Sequence, residues 1–254
     1  MAALAKLRRD LKELKSAQKA KILQRFFKTG KGEYGEGDIF LGIMVPQQRQ
    51  LVKKYWRDIS LRDLDKLIKS KFHEERLVAL LILVEKYKKI QCHSESLEGR
   101  RRISKDPSLS LRMTEKQIFQ FYLSHTRYIN NWDLVDLSAP KIVGAYLADK
   151  NRAILYKLAS SKDLWQRRIA VLATFEFIRR RDFTDSLRIA KMLLKDKHDL
   201  IHKAVGWMLR EIGKRDETVL INFLNQHLAS MPRTMLRYAI ERFHKEKRLK
   251  YLAA

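Results

Sequence analysis

The chain predicts an all-α protein, an α-solenoid of stacked helix pairs with a basic concave face. Three observations carry this expectation. Apolar residues recur at helical spacing through almost every segment. Gly and Pro are scarce, at 9 and 4 residues, which disfavours a β-rich fold full of tight turns. A weak repeat also runs through the C-terminal half. Arg168-Ile169-Ala170 aligns with Ala204-Val205-Gly206 and again with Arg237-Tyr238-Ala239, at spacings of 36 and 33 residues. Each unit places a small residue, Ala170, Gly206 or Ala239, where two helices can approach closely. Helix pairs at such periods are the signature of an α-solenoid, and a compact irregular bundle is the simpler alternative. A single domain over residues 1–254 is expected.

The elements follow in order. Residues 5–29 carry apolar side chains at 4, 7, 11 and 14, then at 22, 23, 26 and 27, with a break near Ser16. Gly30, Gly32, Gly35 and Gly37 mark a loop to Asp38. Pro46 suits the first residue of a helix to about 56, and Ser60 with Asp63 opens a short one. Residues 74–90 are apolar almost all round in their middle, which predicts a central, fully packed helix. Residues 91–113 are basic and aperiodic, include Arg100-Arg101-Arg102, and read as a long mobile loop between helices. Thr114 and Gln117 match a capping box. Further helices are expected near 131–138, 140–148, 151–160, 163–180, 183–195, 199–213, 216–229 and 232–248.

Charge narrows the partners. Lys and Arg number 54 against 29 Asp and Glu, a formal net charge of +25. Such an excess attracts phosphate backbones and anionic surfaces. No 18-residue apolar run exists, so a membrane span is not expected, and the first residues lack the apolar stretch of a signal peptide. Cys92 is the only cysteine, so no intrachain disulfide can form, and a cytoplasmic location is expected.

Within this cationic chain, Asn131-Trp132-Asp133-Leu134-Val135-Asp136 puts an indole and a carboxylate four residues apart, on one face of a helix. An acid kept beside a large aromatic can act locally on something positive while the chain binds a polyanion. The same spacing also serves a core aromatic and a solvated helix acid, or an acid that helps a helix restart at Pro140. A second stripe, Lys203, Trp207 and Arg210, shares a face at i, i+4 and i+7. It can hold phosphate on both sides of an aromatic contact, or be a core indole with snorkelling cations. Trp165 is followed by Arg167 and Arg168, one of which should face the charged side. His198 and His202 have the i, i+4 spacing of metal ligands but no evident third ligand, so no metal and no cofactor are expected. Phosphate-loop and nucleophile-elbow motifs are absent, and Cys92 has no evident base partner.

Several segments together resemble a known family. Phe40-Leu41-Gly42-Ile43-Met44-Val45-Pro46-Gln47-Gln48-Arg49 looks like its N-terminal FxGIxxPxxR segment, and the 131–136 stretch looks like its central motif. Trp165-Gln166-Arg167-Arg168-Ile169-Ala170, Gly206-Trp207-Met208-Leu209-Arg210 and Met231-Pro232-Arg233-Thr234-Met235-Leu236-Arg237-Tyr238-Ala239 resemble later segments. In order and spacing they resemble the AlkD family of DNA alkylation-repair glycosylases, built from HEAT-like helical repeats, over nearly the whole chain. The resemblance implies Asp136 as the catalytic aspartate, Trp132 and Trp207 as indoles flanking the lesion nucleotide, and Arg168 as a contact to the DNA backbone. Arg49, Lys203, Arg210 and Arg237 are the further DNA-binding candidates. Met44 and Phe26 depart from polar and hydroxyl-bearing residues of some relatives, and the 91–113 loop is longer than in the shorter ones.

The resemblance therefore implies a monomeric enzyme that removes N3- or N7-alkylated purines from duplex DNA, with no cofactor and no obligate protein partner. Two other readings fit the charge: a noncatalytic binder of bent or branched DNA or structured RNA, and a helical scaffold for acidic proteins.

Overall fold

A computed structural model describes residues 2–98 and 113–253. Among them every regular element is helical, and the only β pairing is an isolated parallel bridge between Ile39 and Phe72. The chain divides into two compact units, Met1–Ser138 and Ala139–Ala254.

The first unit contains α1 (Ala3–Glu13), α2 (Ala17–Phe26), α3 (Val45–Tyr55), α4 (Leu61–Ile68), α5 (His73–Glu98), α6 (Glu115–Ser124) and α7 (Trp132–Ala139). Its helix starts obey local chemistry. The Ser16 hydroxyl accepts from the Lys19 amide, which ends α1 and opens α2 at the expected break. Thr114 with Gln117 forms the expected capping box, and Ser60 with Asp63, expected to open a helix, forms another. Pro46 lies one residue inside α3, which begins at Val45. In α5 the eight residues 77–84 are each at most 2% exposed. The helix packs on α3, α4 and α6, as its unbroken apolar run requires. It continues to Glu98, so the expected loop does not begin at 91. Its apolar run gives way to polar residues by Ile90, but the helix continues for two further turns. The rest of that expected loop, 99–112 with the three arginines, lies outside the described residues.

The second unit begins with a π-helical turn, Pro140–Gly144, that leads into α8 (Ala145–Leu147). It continues with α9 (Ala153–Ala159), α10 (Leu164–Arg179), α11 (Thr184–Met192), α12 (Asp199–Gly213), α13 (Glu217–His227), α14 (Arg233–Ala239) and α15 (Lys245–Ala253). The single helix expected over 232–248 is two, broken between Ala239 and Lys245. Packing is between chain neighbours: α10 lies against α9, α11 and α12, and α12 lies against α13 and α14. Gly206 allows α12 to approach α14 closely. A Cβ there would lie 2.5 Å from the Met235 carbonyl oxygen on α14, closer than real side chains come.

Candidate functional site

The first unit contains a cavity of about 310 Å³. Trp132 and Asp136 both line it, so α7 presents its indole and carboxylate on one face as the spacing predicts. Both are half-buried. The first turn of α7 is fastened by Asn131, whose side-chain oxygen accepts from the Trp132 amide at 2.8 Å.

Aromatic rings form most of the opposite wall. Phe27 stacks on Trp132 with centroids 5.0 Å apart and planes 18° from parallel, and Phe40 stacks on Phe27 at 5.0 Å and 21°. Phe26 meets Trp132 edge-on at 5.9 Å while remaining 62% exposed. Leu23, Ile43, Met44, Val45, Leu77 and Leu137 add aliphatic surface to the lining. The segment 40–49 builds this wall. Gly42 adopts φ +85, and a Cβ there would lie 2.1 Å from the Ser16 carbonyl, so only glycine fits. The buried Glu74 carboxylate then accepts the amides of Leu41, Gly42 and Ile43 at 2.8, 2.8 and 3.1 Å. Gln48, also buried, donates to the Ile43 carbonyl at 2.8 Å.

A buried ionic cluster adjoins the aromatic stack, and two of its members, His73 and Asp133, also line the cavity. The His73 ring sits against Phe40 at 4.3 Å, with Nδ1 2.8 Å from Asp38 Oδ2 and Nε2 2.8 Å from Asp133 Oδ2. Asp38 is also paired with Arg76 and accepts from Asn131 Nδ2 at 3.1 Å. Burial alone would lower the His73 pKa, but the two carboxylates outweigh it and raise it to about 9. For Asp38 burial is likewise the largest influence and pushes upward, yet His73 and Arg76 hold it below the ordinary carboxylate value. The sequence reading overlooked His73, Asp38 and Phe27. One signal was available: His73-Glu74-Glu75-Arg76 opens a helix that is otherwise apolar, so four polar side chains enter the core together.

The second unit holds the other indole. Trp207 is half-buried on α12, tilted against Phe175 at 6.1 Å, and its Nε1 donates to Glu211 Oε1 at 3.3 Å. Lys214 and Arg215 converge on the same carboxylate at 2.6 and 3.2 Å. Burial raises the Glu211 pKa, but these donors win and hold it below the usual value. Lys203 pairs with Asp199 at 2.7 Å and Arg210 with Glu241. Arg168 is only 5% exposed and donates from Nη1 to the Leu200 carbonyl at 2.5 Å, tying α10 to α12. Its neighbour Arg167 is bound to Asp196 at 2.6 Å. Of the expected cations, Arg49 in the first unit and Arg237 in the second are exposed.

The two spaced histidines serve the backbone. His198 Nδ1 accepts the Leu200 amide at the start of α12, and His202 Nε2 lies 2.5 Å from the Asp196 carbonyl. Among the described residues no group of three or more metal-ligating side chains occurs. No helix among them is long and apolar enough to cross a membrane.

The family model for DNA alkylation repair enzymes matches residues 7–243. A solved structure described as a predicted DNA alkylation repair enzyme from Enterococcus faecalis superposes with a TM-score of 0.65. It is 16% identical and covers 91% of this chain and 97% of that one, a likeness of fold alone. No curated protein matches.

Proposed function

The chain belongs to the DNA alkylation repair enzyme family, and on that footing we propose that it is a monofunctional DNA glycosylase for cationic alkylpurines, of the N3-methyladenine and N7-methylguanine type. The observation that carries this reading is the placement of Asp136: half-buried, beside Trp132, and lining a cavity walled by aromatic rings. A solvated helix acid has no such surroundings.

The chemistry suits that placement. Alkylation at N3 or N7 leaves the purine formally positive, so it departs as a neutral molecule and needs no general acid. Cleavage develops positive charge on the deoxyribose, as in glycoside hydrolysis. The Asp136 carboxylate stabilises that charge and orients the attacking water. Trp132 and, in the second unit, Trp207 each offer a face for a cation–π contact, worth roughly 0.5–2 kcal/mol. Basic side chains bind duplex phosphates without reading sequence, with Arg49, Lys203, Arg210 and Arg237 contributing. Arg168, which also donates to the Leu200 carbonyl, contacts the DNA backbone near the lesion. The enzyme acts as a monomer and needs no cofactor.

The test is release of free base from methylated duplex DNA by the wild type and by Asp136→Asn. The wild type should release 7-methylguanine, and the variant should retain duplex binding while losing release. A variant that releases base at the wild-type rate removes Asp136 from the mechanism. A wild type that binds duplex and releases nothing makes the chain a noncatalytic binder.

A further inference from the structure

His73 is almost wholly buried at the edge of the cavity that Trp132 and Asp136 line, and it touches the helix that carries them. Its two ring nitrogens each face a carboxylate oxygen at 2.8 Å, Asp38 on the loop before Phe40 and Asp133 in the first turn of α7. An ionised carboxylate only accepts hydrogen bonds, so two of them require N–H on both ring nitrogens, the imidazolium form. Phe40 at 4.3 Å and Phe27 at 5.2 Å lie against the ring, leaving little room for water to substitute for either bond. Asp133 lies between Trp132 and Asp136 in the sequence, is buried, and spends Oδ2 on the His73 ring. Asn131, which caps the same helix, is bound to the same Asp38.

We propose that His73 is a positioning residue for the Asp136 site: bonded on both sides, it fixes the first turn of α7 against the segment 38–44 and so sets where Trp132 and Asp136 stand. This rests on the glycosylase reading. The charged groups around the ring are Asp38 from the loop, Asp133 from α7 and Arg76 from α5. Glu74 on α5 is engaged by the amides of Leu41, Gly42 and Ile43, and Glu75 by Arg8. If the ring loses one proton, a lone pair faces a carboxylate and a hydrogen bond becomes a repulsion. The helix start is then held on one side only. The ring's proton affinity, raised to about 9, puts that loss on the alkaline side of neutrality.

Single-turnover release of 3-methyladenine from methylated duplex, between about pH 6 and pH 9.5 and corrected for spontaneous loss, tests this. Wild type should show an alkaline limb with a midpoint near 9. His73→Gln, which keeps one donor and does not titrate, should be slower at neutral pH by about tenfold or more and lack the limb. Its duplex affinity should match wild type. A variant with the wild-type rate, or with the wild-type limb, overturns the proposal. Should His73→Gln fail to fold, nitrogen NMR of the wild-type ring decides: both nitrogens protonated at neutral pH supports the proposal, and a neutral tautomer overturns it. A wild type that releases no base defeats the glycosylase reading instead, and the ring measurement still judges the double bond to Asp38 and Asp133.

Discussion

The indole of Trp132 lies almost parallel to the ring of Phe27, at 5.0 Å and 18°, so a buried side chain of α2's C-terminal end supports one wall of the Asp136 cavity. Phe27 is 6% exposed and bears Phe40 on its other face. Its removal leaves a void that the stack cannot close. Phe27→Ala should destabilise the protein by about 3 kcal/mol in denaturant unfolding, at the lower end for buried aromatics. Base release should fall on the order of 10- to 100-fold as Trp132 loses its support. Release within twofold of wild type would show that the stack does not position the indole.

Glu211 should matter to the second indole in the same way. Glu211→Ala removes the acceptor of Trp207 Nε1 and leaves Lys214 and Arg215 facing each other. A loss of about 1–3 kcal/mol in stability is expected, with slower base release and an altered Trp207 emission. Glu211→Gln retains an acceptor and should recover most of the release. Equal release from the two variants would argue against orientation of the indole by this bond.

Stability should depend on pH with a sign set by the buried cluster. The His73 pKa rises from 6.5 to about 9 on folding, so the folded state binds its proton more tightly. That contribution is complete below about 6.5 and is lost as pH rises through about 9, with a ceiling of roughly 3 kcal/mol. Asp38, held low in the folded state, contributes the opposite way: its share is present above the ordinary carboxylate value and is lost as pH falls through its depressed one. Urea midpoints measured from neutral to strongly alkaline pH should decline for wild type and stay flatter for His73→Gln.

Gly206→Ala sets two effects against each other. Alanine favours a helix by about 1 kcal/mol over glycine. The added Cβ would meet the Met235 carbonyl at 2.5 Å and the Tyr238 Cβ at 2.6 Å, both held on or beside backbone that cannot yield cheaply. Overpacking of this kind costs about 1–3 kcal/mol, so the variant should be less stable despite better helix propensity. A raised melting temperature would mean that α12 and α14 separate without penalty.

The cations should divide by burial. Arg49→Ala and Arg237→Ala change exposed residues, so stability should move by no more than about 0.5 kcal/mol. Where such a residue meets a phosphate, the slope of log K against log salt should fall by about 0.9. Arg168→Ala should instead cost about 1–3 kcal/mol of stability, because it leaves the Leu200 carbonyl without that donor inside the fold. Melting curves and duplex titrations at several salt concentrations separate the two behaviours.

Much of this was legible in the chain, because it depends on neighbours in sequence. The break near Ser16, the helix start at Ser60, the capping box at Thr114, the wholly buried middle of α5, the small residue at Gly206, and the shared face of Trp132 and Asp136 all follow from spacings within one or two helical turns. Helix ends were less legible: α5 runs on to Glu98 and 232–248 divides in two, since fraying and breaks depend on what packs against the last turn. Only the tertiary structure decided which charges go inside. His73 meets Asp38 and Asp133 across 35 and 60 residues, and Arg168 reaches the Leu200 carbonyl across 32. A histidine, an aspartate or an arginine has no intrinsic preference strong enough to declare its burial. Each goes into the core only where a distant partner compensates for the water it loses, and that partner is brought there by the fold.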